Sequence, residues 1–93
     1  MTYEVKYTAI EKSGRTVEES KLTDSYPEMT NRNGLDAIKF IVKGKTRFTW
    51  FEIPNDYQMN KYYERVEITV SEATTGKNIA KISREAKKWK DTK

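Results

Sequence analysis

The clearest hydrophobic pattern in the chain is an alternation of apolar and polar residues over residues 62–73. Val66, Ile68 and Val70 share one face, and Glu67 lies on the other. A period of two is typical of a β-strand with one buried face. Because this is the longest such pattern, we predict that it forms the central strand of a sheet.

The N-terminal part of the chain shows the same alternation over residues 3–10. The following turn signal contains Gly14, which can adopt a positive φ. Residues 16–22 then return as a weaker strand that has few apolar side chains. Glu18, Glu19 and Lys21 would protect this strand as a solvated edge, so the segment predicts an N-terminal hairpin.

The middle of the chain adds a strand candidate over residues 46–53, which is dense in aromatic side chains. Residues 54–61 begin with Pro54 and are predicted to form the loop of a hairpin that leads into the central strand. Residues 23–34 are rich in Asp, Ser, Pro, Thr, Asn and Gly, a composition that predicts a loop.

Residues 35–43 are compatible with either a helix or a strand, and we predict a helix. Asn33 suits a helix N-cap and Gly44 suits the position after the last turn. The residues that would share the buried helix face are Leu35, Ile38, Ile41 and Val42. The strand alternative rests on the alternation of Ile38, Phe40 and Val42.

The C-terminal segment is the second ambiguous region. The residues that recur with helical spacing are Ile79, Ile82, Ala86 and Trp89. This stripe predicts a helix that packs Trp89 against the domain. In the alternative, residues 78–83 pair with the central strand as a hairpin, and a short helix covers residues 84–90.

Together these elements predict an α+β fold with a small antiparallel sheet of four to five strands, built from two hairpins. One or two helices would pack on one face of the sheet. A chain of 93 residues fits one domain, and residues 1–93 contain no segment with the composition of a linker. We expect the last few residues to be frayed.

The composition excludes several kinds of chemistry. The chain has no Cys and no His, so it lacks the usual thiolate, general base and transition-metal ligands. No apolar run approaches the roughly 20 residues that a membrane helix needs. We therefore expect a cytoplasmic protein that is not an enzyme, holds no cofactor or metal, and does not enter a membrane.

Charge is unevenly distributed along the chain, whose net charge is +4. Residues 32–47 carry five basic groups and one acidic group, and residues 77–93 carry seven basic and two acidic groups. The predicted partner-binding or phosphate-binding cations of the C-terminal block are Lys77, Lys81, Arg84, Lys87, Lys88 and Lys90. A solvated helix face would account for the same pattern without any ligand.

Aromatic side chains offer a second candidate binding feature. Phe48, Trp50, Tyr62 and Tyr63 could stack nucleic-acid bases on an open sheet face. We predict instead that Phe48, Trp50 and Phe51 pack in the core, as strand aromatics usually do. Tyr57 and Tyr63 are predicted to be exposed, and an exposed aromatic side chain can anchor a protein partner.

These features predict a small protein–protein interaction module that binds a host or cognate protein. It would act stoichiometrically, as an inhibitor or accessory protein. The size, the Lys/Glu/Thr/Tyr/Asn composition and the lack of catalytic motifs resemble accessory proteins of phages or mobile elements. The alternative is a nucleic-acid-binding module that uses the basic C-terminal segment.

Overall fold

The computed structural model describes residues 1–86, which form seven strands and one short helix arranged as two antiparallel sheets. The elements are β1 (Tyr3–Glu11), β2 (Thr16–Thr23), β3 (Glu28–Arg32), β4 (Leu35–Ile41), β5 (Phe48–Glu52), α1 (Asp56–Tyr62), β6 (Tyr63–Glu72) and β7 (Asn78–Glu85). The larger sheet has the strand order β2-β1-β6-β7, and the smaller sheet has the order β3-β4-β5.

The larger sheet confirms the two strongest sequence predictions. Strand β6 lies between β1 and β7, so it is central, and Val66, Ile68 and Val70 are fully buried on its inner face. Strands β1 and β2 form the predicted hairpin, in which Gly14 has a φ of 94°. Strand β2 is an edge of the sheet, as its charged side chains indicate.

The predicted C-terminal helix is wrong for the described residues, because residues 78–85 form strand β7. This strand pairs with β6 from Ser71–Asn78 to Arg65–Glu85, so the hairpin alternative is the structure that occurs. Pairing satisfies backbone groups along the second edge of β6, which a helix would leave without partners. Trp89 and the later part of the predicted helix at 84–90 lie outside the described residues.

The smaller sheet corrects two predictions, the loop at 23–34 and the helix at 35–43. Asn33 does not cap a helix: Asn33 and Gly34 have φ values of 53° and 84° and connect β3 to β4. Two central residues with positive φ are typical of a type I′ hairpin turn. The Asn31 side-chain oxygen accepts a hydrogen bond from the Gly34 amide at 3.1 Å, which supports this turn.

Helix α1 replaces the predicted hairpin loop at residues 54–61. The Asn55 side chain caps the helix by accepting a hydrogen bond from the Gln58 amide at 2.9 Å, and Asp56 occupies the first turn. Met59 is its buried residue and anchors the helix to the core. The seven residues of α1 connect β5 in one sheet to β6 in the other.

The two sheets pack face to face around one core. Its buried members are Val5, Ala9, Ile38, Phe40, Phe51, Ile53, Met59, Val66, Ile68 and Val70. The Phe51 ring lies 5.3 Å from Phe40 and 5.7 Å from Tyr7, measured between centroids, which joins the two layers. Burial raises the pKa of the Tyr7 phenol to about 12, and the neighbouring Tyr63 adds to this rise.

The fold is therefore a small, mostly β structure of four and three antiparallel strands, not a single sheet covered by helices. Each sheet has one apolar face that must be buried, and the other sheet buries it. Among the described residues, no helix has the length and apolar character that crossing a bilayer requires.

Candidate binding surface

The C-terminal cations predicted to act together are separated by the strand that contains them. Neighbouring residues of a strand point to opposite faces, so Lys81 lies on the outer face of the larger sheet and Arg84 on the inner face. Lys77 is exposed in the turn before β7. The remaining predicted cations, Lys87, Lys88 and Lys90, lie outside the described residues.

Arg84 links the two sheets. Its guanidinium lies 3.2 Å from the Asp56 carboxylate and 3.7 Å from the Asp36 carboxylate, and it donates a hydrogen bond to the Pro54 carbonyl oxygen at 3.3 Å. These partners lie in β4 (Asp36), in the β5–α1 connection (Pro54) and at the start of α1 (Asp56). The charge of Arg84 is therefore compensated within the chain, and the residue has a structural role.

The outer face of the larger sheet carries an ion-pair network. Arg65 contacts Glu67 at 2.8 Å and also pairs with Glu85, and Lys81 lies 3.9 Å from Glu67. Hydrogen bonds to Glu67 and Glu85 raise the pKa of the Arg65 guanidinium. The acidic partners balance the charge of this face, so it does not offer a purely basic surface.

The two tyrosines predicted as exposed anchors differ in their surroundings. Tyr57 lies on α1 with 67% of its surface exposed, and the Lys61 ammonium lies 5.4 Å from its ring centroid. Tyr63 is only partly exposed and packs against the core, so its predicted exposure is wrong. It is the first residue of β6, where the sheet holds its side chain against the domain.

The three aromatic residues of β5 divide between two environments. Phe51 points inward and is buried, as predicted. Phe48 and Trp50 point outward and do not belong to the core cluster, and Phe48 is 51% exposed, so the prediction that these two residues pack in the core is wrong. Neighbouring positions in a strand alternate between faces, and no described element covers the outer face of the smaller sheet.

Two cations lie against these outward rings. The Arg32 guanidinium carbon is 4.3 Å from the Trp50 ring centroid, and the Lys39 ammonium is 4.2 Å from the Phe48 ring centroid. The two rings are themselves 6.4 Å apart, with an angle of 50° between their planes. We call these four residues, contributed by β3, β4 and β5, the aromatic–cationic surface.

Acidic neighbours balance the charge of the aromatic–cationic surface. Arg32 lies 3.3 Å from the Glu52 carboxylate, and Lys39 lies 3.8 Å from the Glu28 carboxylate. Ala37 lies on the same outward face between these ion pairs, and it is almost fully buried. Since no element within residues 1–86 covers this face, the long side chains beside Ala37 must lie across it and form a continuous surface.

The β4–β5 connection supplies unbalanced positive charge next to this surface. Lys43, Lys45 and Arg47 are exposed, and none of them forms an ion pair within residues 1–86. The Lys43 amide donates to the Leu22 carbonyl oxygen at 2.7 Å, which fixes the connection to β2. We call residues 43–47 the basic turn.

A cleft of about 510 Å³ lies beside the basic turn and extends toward β2 and β5. Its lining includes the side chains of Lys21, Lys45, Arg47 and Thr49. Within residues 1–86, no group of three or more acidic residues is arranged to hold a metal ion. The cleft is thus bordered by the basic residues Lys45 and Arg47, which form no ion pair within residues 1–86, and by Lys21, which pairs with Glu19.

Two features of the sequence point to this site, but only the pairing of the strands brings them onto one surface. The positive block at 32–47 and the aromatic segment at 46–53 are adjacent in the chain. The formation of strand β4 by residues 35–41, in place of the predicted helix, puts Lys39 beside Trp50 on one face. Comparison of the chain with protein-family models, curated proteins and solved structures finds no match.

Proposed function

We propose that this protein is a small protein–protein interaction module and that the aromatic–cationic surface is its binding site. The observation that carries the proposal is the outward orientation of Phe48 and Trp50 beside Arg32 and Lys39, on a sheet face that no described element covers. Tryptophan and arginine are enriched among the residues that dominate binding energy at protein interfaces. A sheet also holds such side chains rigidly, which lowers the entropic cost of binding.

The charge balance of this surface favours a protein over a polyanion. Glu52 and Glu28 already pair with Arg32 and Lys39, so the surface itself has no excess of positive charge. A phosphate backbone would be repelled by these carboxylates. A protein partner can instead cover the rings and exchange hydrogen bonds with the charged groups around them.

The basic turn would orient and accelerate association with an acidic partner. Lys43, Lys45 and Arg47 carry charges that no described residue neutralises, and complementary charge at the rim of an interface mainly increases the association rate. We infer a host or cognate protein with acidic groups beside an apolar patch. The module would act stoichiometrically in the cytosol, as an inhibitor or accessory protein and not as a catalyst.

Truncation of the two outward rings should abolish partner capture. We expect Phe48→Ala and Trp50→Ala each to weaken binding by about 2 kcal/mol, or about 30-fold in Kd, the range of interface hot spots. The measurement is affinity capture from a native, nuclease-treated lysate, followed by titration of the captured protein.

Exposed apolar residues on the opposite side of the molecule provide the matched controls. Ile10 and Leu22 lie on the outer face of the larger sheet, so Ile10→Ala and Leu22→Ala should leave capture unchanged. Equal capture by all four variants would contradict the proposed binding site. Capture that disappears on nuclease treatment would contradict the protein partner.

A second candidate function is the binding of single-stranded nucleic acid. It is favoured by the cations of the basic turn beside the exposed ring of Phe48, since single-strand binders combine cationic grooves with stacking rings. This candidate places the nucleic acid at the basic turn and not at the C-terminal segment. The C-terminal version relies on Lys77, Lys81 and on cations outside the described residues, because Arg84 is paired within the fold.

Salt-dependent titration with single-stranded oligonucleotides separates these versions. If the basic turn binds the strand, neutralising Lys43, Lys45 and Arg47 should reduce the salt slope by about 0.7 for each phosphate that is no longer neutralised. Neutralising Lys87, Lys88 and Lys90 should have that effect only if the C-terminal segment binds. Absence of binding at low salt would exclude both versions.

A further inference from the structure

Strand β7 forms one edge of the larger sheet, and no strand within residues 1–86 pairs with its outer side. It spans eight residues and contains no proline. Natural proteins usually protect such an edge, because its free amide and carbonyl groups can pair with another strand. The opposite edge, β2, carries a single charge on its outer face, Glu18, whereas the outer face of β7 carries one charge of each sign, Lys81 and Glu85.

Within residues 1–86, the side of the sandwich next to β7 is also open and apolar. A groove of about 340 Å³ lies between β7 and β3, with Ile38 and Val70 among its buried lining residues. Tyr26 and Met29 border it and are 64% and 52% exposed. A second groove of about 380 Å³ continues along the same side and is lined in part by Met29 and Ile82.

We propose that a second copy of this chain binds here and that the two β7 strands pair in antiparallel register about a two-fold axis at Ser83. This register places Lys81 of each copy directly opposite Glu85 of the other copy, on the outer face of the sheet. The new pairs would extend the ion pairs that Lys81 already forms with Glu67 and that Glu85 forms with Arg65. Opposite charges in directly opposed positions stabilise an antiparallel pair. The two four-stranded sheets would form one continuous sheet of eight strands.

Charge complementarity distinguishes this register from its neighbours. In an antiparallel pair, residues that lie directly opposite each other point to the same face of the sheet. A two-fold axis that relates two identical strands must therefore pass between the two copies of one residue, and not between neighbouring residues. An axis at Lys81 or at Arg84 would place like charges opposite each other. An axis at Ile82 would place Lys81 opposite Ser83 and would leave Glu85 opposite Ile79.

The same association would cover the open apolar side. A two-fold axis perpendicular to the sheet keeps the smaller sheets of both copies on the same side, so the two β3 strands approach each other across the axis. Because the axis passes at Ser83, the groove that Met29 and Ile82 line would lie at the contact between the two copies, and the partner would cover part of its opening.

Charge reversal with reciprocal rescue tests the proposal on the full chain. Sedimentation equilibrium over a concentration series should show a dimer for the unmodified protein. Lys81→Glu or Glu85→Lys alone should raise the dimer Kd at least about tenfold, because each places like charges in both opposed pairs. An equimolar mixture of the two variants should form heterodimers, detectable by native mass spectrometry, since both pairs are then complementary.

Lys6→Glu is the matched control, because Lys6 lies on the same outer face but in the interior strand β1. It should leave the dimer unchanged. The double variant Lys81→Glu/Glu85→Lys should dimerise again, which distinguishes lost pairing from a folding defect. The proposal is overturned if the unmodified chain remains monomeric, if Lys6→Glu weakens the dimer equally, or if the mixture gives no heterodimer.

Discussion

Replacement of Phe40 by alanine is expected to lower the free energy of unfolding by about 3–5 kcal/mol, the range for large aromatic residues removed from a core. Phe40 is 1% exposed and belongs to the cluster between the sheets. Its ring centroid lies 5.3 Å from that of Phe51, so the substitution removes an aromatic pair as well as buried area. Urea denaturation followed by circular dichroism provides the measurement.

The matched control for this variant is Phe48→Ala, which removes the same side chain from an exposed position of the neighbouring strand. We expect a change within about 0.5 kcal/mol, as for most surface substitutions. A further comparison is Ile41→Ala, because a helix over this segment would bury Ile41 and not Phe40. A larger loss of stability at Ile41 than at Phe40 would contradict the strand assignment of this segment.

Replacement of Ile68 by alanine is the second large expected effect, at about 2–5 kcal/mol. Ile68 is fully buried at the centre of β6, where it faces the smaller sheet and has paired strands on both sides. The surrounding strands are fixed by these ladders and can collapse only partly into the cavity. Val66→Ala and Val70→Ala should destabilise the protein for the same reason, by somewhat less because fewer atoms are removed.

Ile10→Ala is the control for Ile68→Ala, because it truncates the same residue type on the outer face of β1. We expect little change in unfolding free energy at Ile10. If the two substitutions destabilised the protein equally, the inner and outer faces of the larger sheet would be wrongly assigned. A one-residue shift in register would have this effect, since it exchanges the faces of a strand.

The stability measurements also sharpen the test of the binding site. Phe48→Ala is predicted to weaken partner capture while leaving unfolding nearly unchanged. A variant that loses binding and stability together would instead indicate that Phe48 supports the smaller sheet. The two measurements therefore separate a partner-binding residue from a structural one.

The elements that could be predicted from the chain are those in which local pattern and burial agree. The alternation around Val66, Ile68 and Val70 predicts β6 and its inner face, and the turn at Gly14 predicts the β1–β2 hairpin. The absence of Cys and His limits the available chemistry whatever the fold. Tyr57 is exposed as predicted, although it lies on α1 and not at the tip of a hairpin loop.

Other elements depended on contacts that are distant in the sequence. Residues 28–32 are mostly polar and become strand β3 only because β4 supplies a partner, with Asn33 and Gly34 turning the chain between them. A period-3.6 pattern and a period-2 pattern both fit residues 35–43. The choice between them was decided by burial of Ile38 and Phe40 against the larger sheet, although the Asn-Gly turn was a local signal for the strand.

The candidate surface depended on tertiary structure for the same reason. Composition shows that aromatic and basic residues are adjacent in the chain, but only the β3–β4–β5 pairing brings Arg32 onto Trp50 and Lys39 onto Phe48. Likewise, Arg84 belongs to a basic segment, yet the stacking of the sheets turns it toward Asp36 and Asp56. Strand pairing and sheet stacking are long-range contacts, so they determine which charges are neutralised and which aromatic rings reach the solvent.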